Sequence, residues 1–124
     1  MSMTLKKQKS HNHVSRIWDD IESHSAWYGR ISGLKADKML RDTKKPYLYI
    51  IRAGEIADDY YISFVQPDFT VKHQPFVITE TTQGWYYENS TTSGIYTDDI
   101  RISDVAHLIM HCRKEECTPL NRIV

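Results

Sequence analysis

From residue 47 onward, apolar and polar positions alternate in short blocks whose period changes in a set order. Tyr47-Leu48-Tyr49-Ile50-Ile51-Arg52 is an apolar run that ends in a cation. Strand side chains alternate with period two, so Leu48, Ile50 and Arg52 share one face. Residues 60–66 and 70–78 read as the next strands, separated by the turn signal Pro67-Asp68. Pro75 within the third strand predicts a sheet edge or a bulge. Gln83-Gly84 then turns the chain into a strand over residues 85–87.

Helical spacing frames these strands. Residues 34–41 predict a helix with Ser32 as N-cap and Leu34, Met39 and Leu40 toward the core. A second helix is expected to be capped by Ser103 or Asp104, with Val105, Leu108, Ile109 and Cys112 as its apolar stripe. Ile17, Trp18 and Ile21 predict a short helix or turn before Trp27. Together these give an α+β plan, a central antiparallel sheet flanked by two helices. Residues 1–25 are expected to form an N-terminal tail with a short helix, mobile over residues 1–13, and residues 26–124 the folded domain.

Composition narrows the function. A chain of 124 residues suits one domain, and 40% hydrophobic with 26% charged residues is typical of a soluble globular protein. Lys plus Arg equals Asp plus Glu at 16 each, which disfavours a nucleic-acid partner held by phosphate electrostatics. No apolar stretch approaches membrane-spanning length, so no membrane partner is expected. Residues 1–13 lack the apolar core of a secretory signal. Cys112 and Cys117 read as reduced thiols, consistent with a cytoplasmic location.

The strand-end cation is the informative residue. A guanidinium at the edge of buried space needs an anion, and its planar fork fits phosphate or carboxylate. Around it, in order, stand Trp27-Tyr28-Gly29-Arg30-Ile31, the run ending at Arg52, Tyr60-Tyr61-Ile62-Ser63-Phe64, Val71-Lys72-His73, Gly84-Trp85-Tyr86, and Val105-Ala106-His107-Leu108-Ile109 before Cys117-Thr118-Pro119-Leu120. This ordered set resembles an SH2 domain, the phosphotyrosine-binding module, over most of the chain. The resemblance implies a phosphotyrosine-peptide-binding module, with Arg52 on the phosphate and His73 beside the phosphotyrosine ring. It also implies no catalysis and no cofactor. The partners would be tyrosine-phosphorylated proteins or peptides, and the module would act as a monomer. Lys72, Gln74, Ile95 and Tyr96 become candidate peptide contacts. So atypical a pattern also suits a microbial protein acting in a host cell's cytosol.

The sequence departs from the family pattern within the phosphate pocket. Gly33 stands where many members carry a second Arg, Gly54 where many carry a Ser, and Pro75 where a basic residue follows the histidine. The loop Ala53-Gly54-Glu55-Ile56-Ala57-Asp58-Asp59 has no Ser, Thr, Lys or Arg. Two alternatives follow. Backbone N–H groups of Gly54, Glu55, Ile56 and Ala57 form an anion nest, with Ile56 or Ala57 packing on the ring. Otherwise the fold serves as a phosphate-independent protein-interaction domain. The long, turn-rich connection over residues 88–102 is expected to close over a bound peptide or to be a surface loop. No deep apolar pocket for a downstream peptide residue is evident, which implies low selectivity for flanking residues.

Two rival chemistries are weaker. His107 and His111 lie four apart with Cys112 and Cys117 following, but no C-x-x-C accompanies them, so no metal is expected. The acid pairs Asp58-Asp59 and Asp98-Asp99 fall in loops without a nucleophile or phosphate-loop motif, so no catalytic residues are assigned.

Overall fold

The computed structural model describes residues 11–82, 84–97 and 99–122. The expectations for residues 1–10, the turn at Gln83 and the acid Asp98 lie outside them. The elements are α1 (His11–Glu22), α2 (Gly33–Arg41), β1 (Leu48–Ala53), β2 (Asp59–Val65), β3 (Val71–Thr81), β4 (Gly84–Glu88), β5 (Ser93–Tyr96), α3 (Ile102–Met110), a single 3-10 turn at Lys114–Glu116 and β6 (Thr118–Pro119). The strands make one six-stranded sheet in the order β5-β4-β3-β2-β1-β6. Every pairing is antiparallel except β1 with β6.

Period-two alternation divides the β1 run between two cores. Leu48 and Ile50 pack with Val65 against Ala36 and Leu40 of α2. Tyr49 and Ile51 point to the opposite face, into a larger core with Tyr60, Ile62, Phe64, Phe76, Ile78 and Trp85. Ile17 and Ile21 of α1 and Val105, Ala106 and Ile109 of α3 cover that face. The short helix expected around Ile17, Trp18 and Ile21 is α1. It begins at His11 and is built into the main core, because Ile17 and Ile21 form an i, i+4 apolar stripe.

Ser32 caps α2 as expected, its Oγ accepting the Lys35 N–H at 3.0 Å. Leu34 is 69% exposed; the buried face is the i, i+4 pair Ala36 and Leu40. Helix α3 starts earlier than expected, its N-cap two residues before Ser103. Arg101 is its N-cap, and Asp104 acts from the third helical position by accepting the Arg101 N–H at 2.9 Å. Leu108 faces out, while Ile102, Ala106 and Met110 complete the buried stripe.

Pro75 sits in a strand that is central only in part. Its register partner on β2 is Tyr61, but β4 pairs with β3 only from Val77 onward. The first half of β3 thus has one unpaired edge, where a residue without an N–H is tolerated. There Asn89 Nδ2 donates to the Pro75 carbonyl at 2.7 Å.

Part of the connection after β4 is regular structure. Ser93–Tyr96 forms β5 along β4. Tyr96 is buried, and its hydroxyl donates to Asp20, whose Oδ2 also accepts the Ile102 N–H at 2.6 Å.

Candidate functional site

Arg52 follows Leu48 and Ile50 on the α2 face of β1 and is only 7% exposed. Residues 26–29 hold that end of β1. Ile51 donates to Ala26 O at 2.8 Å, Tyr28 to Ile51 O at 2.9 Å, and Ala53 to Gly29 O at 2.8 Å. Gly29 has φ +65, a value that favours glycine, and it turns the chain from this edge toward α2. The first residue of α2, Gly33, then lies directly against Arg52. A Cβ added there would meet Nη2 at 3.3 Å and Cζ at 3.9 Å.

The sheet supplies the other walls. Arg52 is the register partner of Tyr61, and Ser63 is the partner of both Ile50 and His73. Arg52 Nε donates to Ser63 Oγ at 3.0 Å, and Ser63 Oγ donates to His73 Nδ1 at 2.7 Å. Arg52 Nη2 also donates to His73 Nδ1, at 3.3 Å. The Tyr61 ring lies under the guanidinium, with Cζ 4.3 Å from its centroid. Nη1 and one N–H of Nη2 are left with no protein acceptor among the described residues.

No carboxylate lies within ion-pair distance of Arg52 among the described residues. Burial lowers its pKa, against a smaller opposing effect of Tyr61, yet a guanidinium stays charged at neutral pH. His73 is also pushed below its ordinary 6.5, first by burial and then by Arg52, with Asp37 opposing. A histidine whose Nδ1 accepts two hydrogen bonds is neutral, with its proton on Nε2. The site therefore holds a buried cation that makes no ion pair with a carboxylate among the described residues.

These groups line a cleft of about 560 Å³ together with Arg30, Ile31, Ser32, Gly33, Ala53, Gly54 and Glu55. Of the residues singled out in the sequence, Arg52, His73, Gly54 and Glu55 come together here. Ile56 is 68% exposed and lines an adjoining hollow of about 200 Å³, and Ala57 lines neither. The nest of N–H groups needs correction at Gly54, whose N–H is taken by Asp59 O at 2.7 Å. Glu55, Ile56 and Ala57 give no N–H to a backbone carbonyl among the described residues.

The peptide-contact candidates scatter. Lys72 and Gln74 point to the sheet face opposite His73, because neighbours on a strand alternate. Ile95 is 38% exposed on β5, two strands beyond β3 and outside the cleft. Tyr96 cannot present its side chain to a ligand, since it is packed into the main core. Sequence reasoning missed Tyr61, Ser63 and Arg30. The signal for Tyr61 and Ser63 was their alternation with Ile62, which places both on the Arg52 face once the register is known.

A larger groove of about 870 Å³ lies elsewhere, lined by Glu22, Trp27, Tyr28, Met39, Leu120 and Arg122 among others. Its cation is satisfied by protein, Arg122 Nη1 donating to His24 O at 3.1 Å and Trp27 O at 2.9 Å. No group of three or more His, Cys, Asp or Glu residues among those described is arranged to hold a metal ion. His107 Nδ1 donates to Cys112 O at 3.1 Å, and His111 Nε2 meets Thr91 Oγ1 at 2.8 Å, so the two rings serve separate contacts.

A family model for the SH2 domain matches residues 27–112, more than half of the chain. No curated protein matches it. The chain belongs to the SH2 family, whose members are phosphotyrosine-peptide-binding modules.

Proposed function

We propose that this domain binds tyrosine-phosphorylated peptides by seating the phosphate on Arg52. The carrying observation is the buried guanidinium lining a cleft, with N–H donors that meet no acceptor and no ion-paired acid among the described residues. A phosphate monoester brings close to two negative charges and several acceptor oxygens. Nη1 and the second N–H of Nη2 are donors of the kind that make charge-assisted hydrogen bonds to such a group.

Neutral His73 flanks the position a phosphotyrosine ring would take. Arg30, exposed at the mouth, adds a solvent-accessible positive charge. The N–H groups of Glu55, Ile56 and Ala57 are the remaining candidates for anion contact from the 54–58 loop. Selectivity for flanking residues is proposed to be low. The Arg52 cleft is the site with an anion-seeking charge, and the candidate contacts beyond it do not converge.

The test is a binding titration with one peptide in phosphotyrosine, phosphoserine and unphosphorylated forms, repeated on a degenerate phosphotyrosine library. Binding confined to phosphotyrosine peptides with a shallow sequence preference supports the proposal. Equal binding of the unphosphorylated form would make the domain a phosphate-independent interaction module.

A further inference from the structure

We infer that Tyr61 and Gly33 act as a pair that clamps the plane of the Arg52 guanidinium, taking the place of a second pocket cation; this rests on the phosphate-binding role proposed above. The guanidinium is flat, and only its edge carries N–H donors. To present that edge to an anion, the plane must be fixed. The Tyr61 ring lies against one side, 4.3 Å from Cζ to centroid. On another side, Gly33 comes so close that a single added Cβ would stand 3.3 Å from Nη2. In the plane itself, Ser63 fixes Nε and His73 fixes one N–H of Nη2. The donors left over are on Nη1 and Nη2, along one edge.

The clamp is specific to these residue types. Tyr61 and Arg52 are register partners on adjacent antiparallel strands, so the ring is delivered to the guanidinium by the sheet itself. An aromatic face attracts the cation through its quadrupole, whereas an aliphatic side chain at the same place would only fill space. The ring also shields one side of the guanidinium from water, which strengthens its interaction with an anion. Gly33 completes the arrangement because every other residue at the start of α2 would push on Nη2.

Two measurements test this. Affinity for a phosphotyrosine peptide is compared among wild type, Tyr61→Phe, Tyr61→Leu, Tyr61→Thr, Gly33→Ala and Arg52→Ala. The side-chain Nε–H resonance of Arg52 is followed by NMR without ligand, since a ring beneath the guanidinium moves it upfield. Tyr61→Phe is expected to bind like wild type and keep the shift. Leu and Thr at this position are expected to lose the shift and weaken binding about tenfold, the scale of a desolvated cation–π contact. Gly33→Ala should keep the ring but weaken binding by displacing Nη2. Because Thr suits a strand, a folding defect in the Leu variant leaves the comparison intact. The inference is overturned if wild type shows no upfield shift. It is equally overturned if a folded Tyr61→Leu or Tyr61→Thr variant binds like wild type while Arg52→Ala does not bind. Failure of wild type itself to bind phosphopeptide overturns the functional proposal instead, and the ligand-free resonance still decides the clamp.

Discussion

Ser63 and His73 are register partners across β2 and β3, and the hydroxyl of the first donates to Nδ1 of the second at 2.7 Å. Burial first, and then the Arg52 guanidinium on the same nitrogen, pushes the pKa of His73 down, with Asp37 opposing. The folded-state pKa lies below 6.5, so between those two values the unfolded chain takes up a proton that the folded chain refuses. Stability should therefore fall as the pH drops from about 6.5 toward the folded pKa, and the loss should level off below it. Denaturant midpoints followed from pH 7.5 to pH 5 should show a smaller acid loss in His73→Gln than in wild type. His24, also depressed by burial, leaves a residual slope in both proteins. Identical slopes would mean that His73 titrates alike in both states.

Arg52 should separate binding from stability. Replacing it by Met removes a buried cation that has no ion-paired acid among the described residues and fills its place with an unbranched apolar chain. Such exchanges of buried charge for hydrophobic volume are often neutral or stabilising. Affinity for phosphotyrosine peptide, by contrast, should drop by about 2 kcal/mol or more, roughly thirtyfold at least. The pair of results to seek is an unchanged or raised denaturant midpoint with lost binding. A strongly destabilised Arg52→Met protein would assign the residue to the fold instead.

Gly54 occupies the place where many relatives carry a pocket serine, and the structure explains why none stands here. A Cβ at this position would lie 2.8 Å from both the Cβ and the carbonyl oxygen of Asp59, whose carbonyl accepts the Gly54 N–H at 2.7 Å. Gly54→Ser should thus not restore a donor to the cleft. It should destabilise the protein by about 1–3 kcal/mol through overpacking of a tight loop. Thermal unfolding checks this, and a Gly54→Ser variant of wild-type stability with tighter phosphopeptide binding would contradict it.

The legible part of this chain was what period and residue type encode locally. Alternation along β1 placed Arg52 on a core face, and the spacing around Ser32 gave the start of α2. Tyr61 was not legible as a partner of Arg52 because the contact depends on the β1–β2 register, which no local pattern states. Leu34 and Leu108 were assigned inward because a leucine near a helix end counts toward apolar periodicity whichever way the end faces. The β5 strand was hidden for a different reason. It has only four residues, within a run rich in Asn, Ser, Thr and Gly that reads as loop, and only pairing with β4 gives it structure.

That strand sets the last expectation. A segment that closed over a ligand would tolerate loss of Tyr96 from the fold and lose affinity. The structure puts Tyr96 in the main core instead, with its hydroxyl on Asp20, the same carboxylate that receives the Ile102 N–H at the start of α3. One carboxylate thus ties α1 to both β5 and α3. Tyr96→Phe keeps the ring and removes one bond to Asp20, which should cost about 1 kcal/mol. Tyr96→Ala also opens a cavity and should cost about 3–5 kcal/mol. Because the Arg52 cleft draws nothing from β5, Tyr96→Phe should bind phosphotyrosine peptide with wild-type affinity and an unchanged dissociation rate. Denaturant midpoints and surface-binding kinetics on the same preparations decide between the two roles. A faster dissociation rate at wild-type stability would return this segment to the ligand.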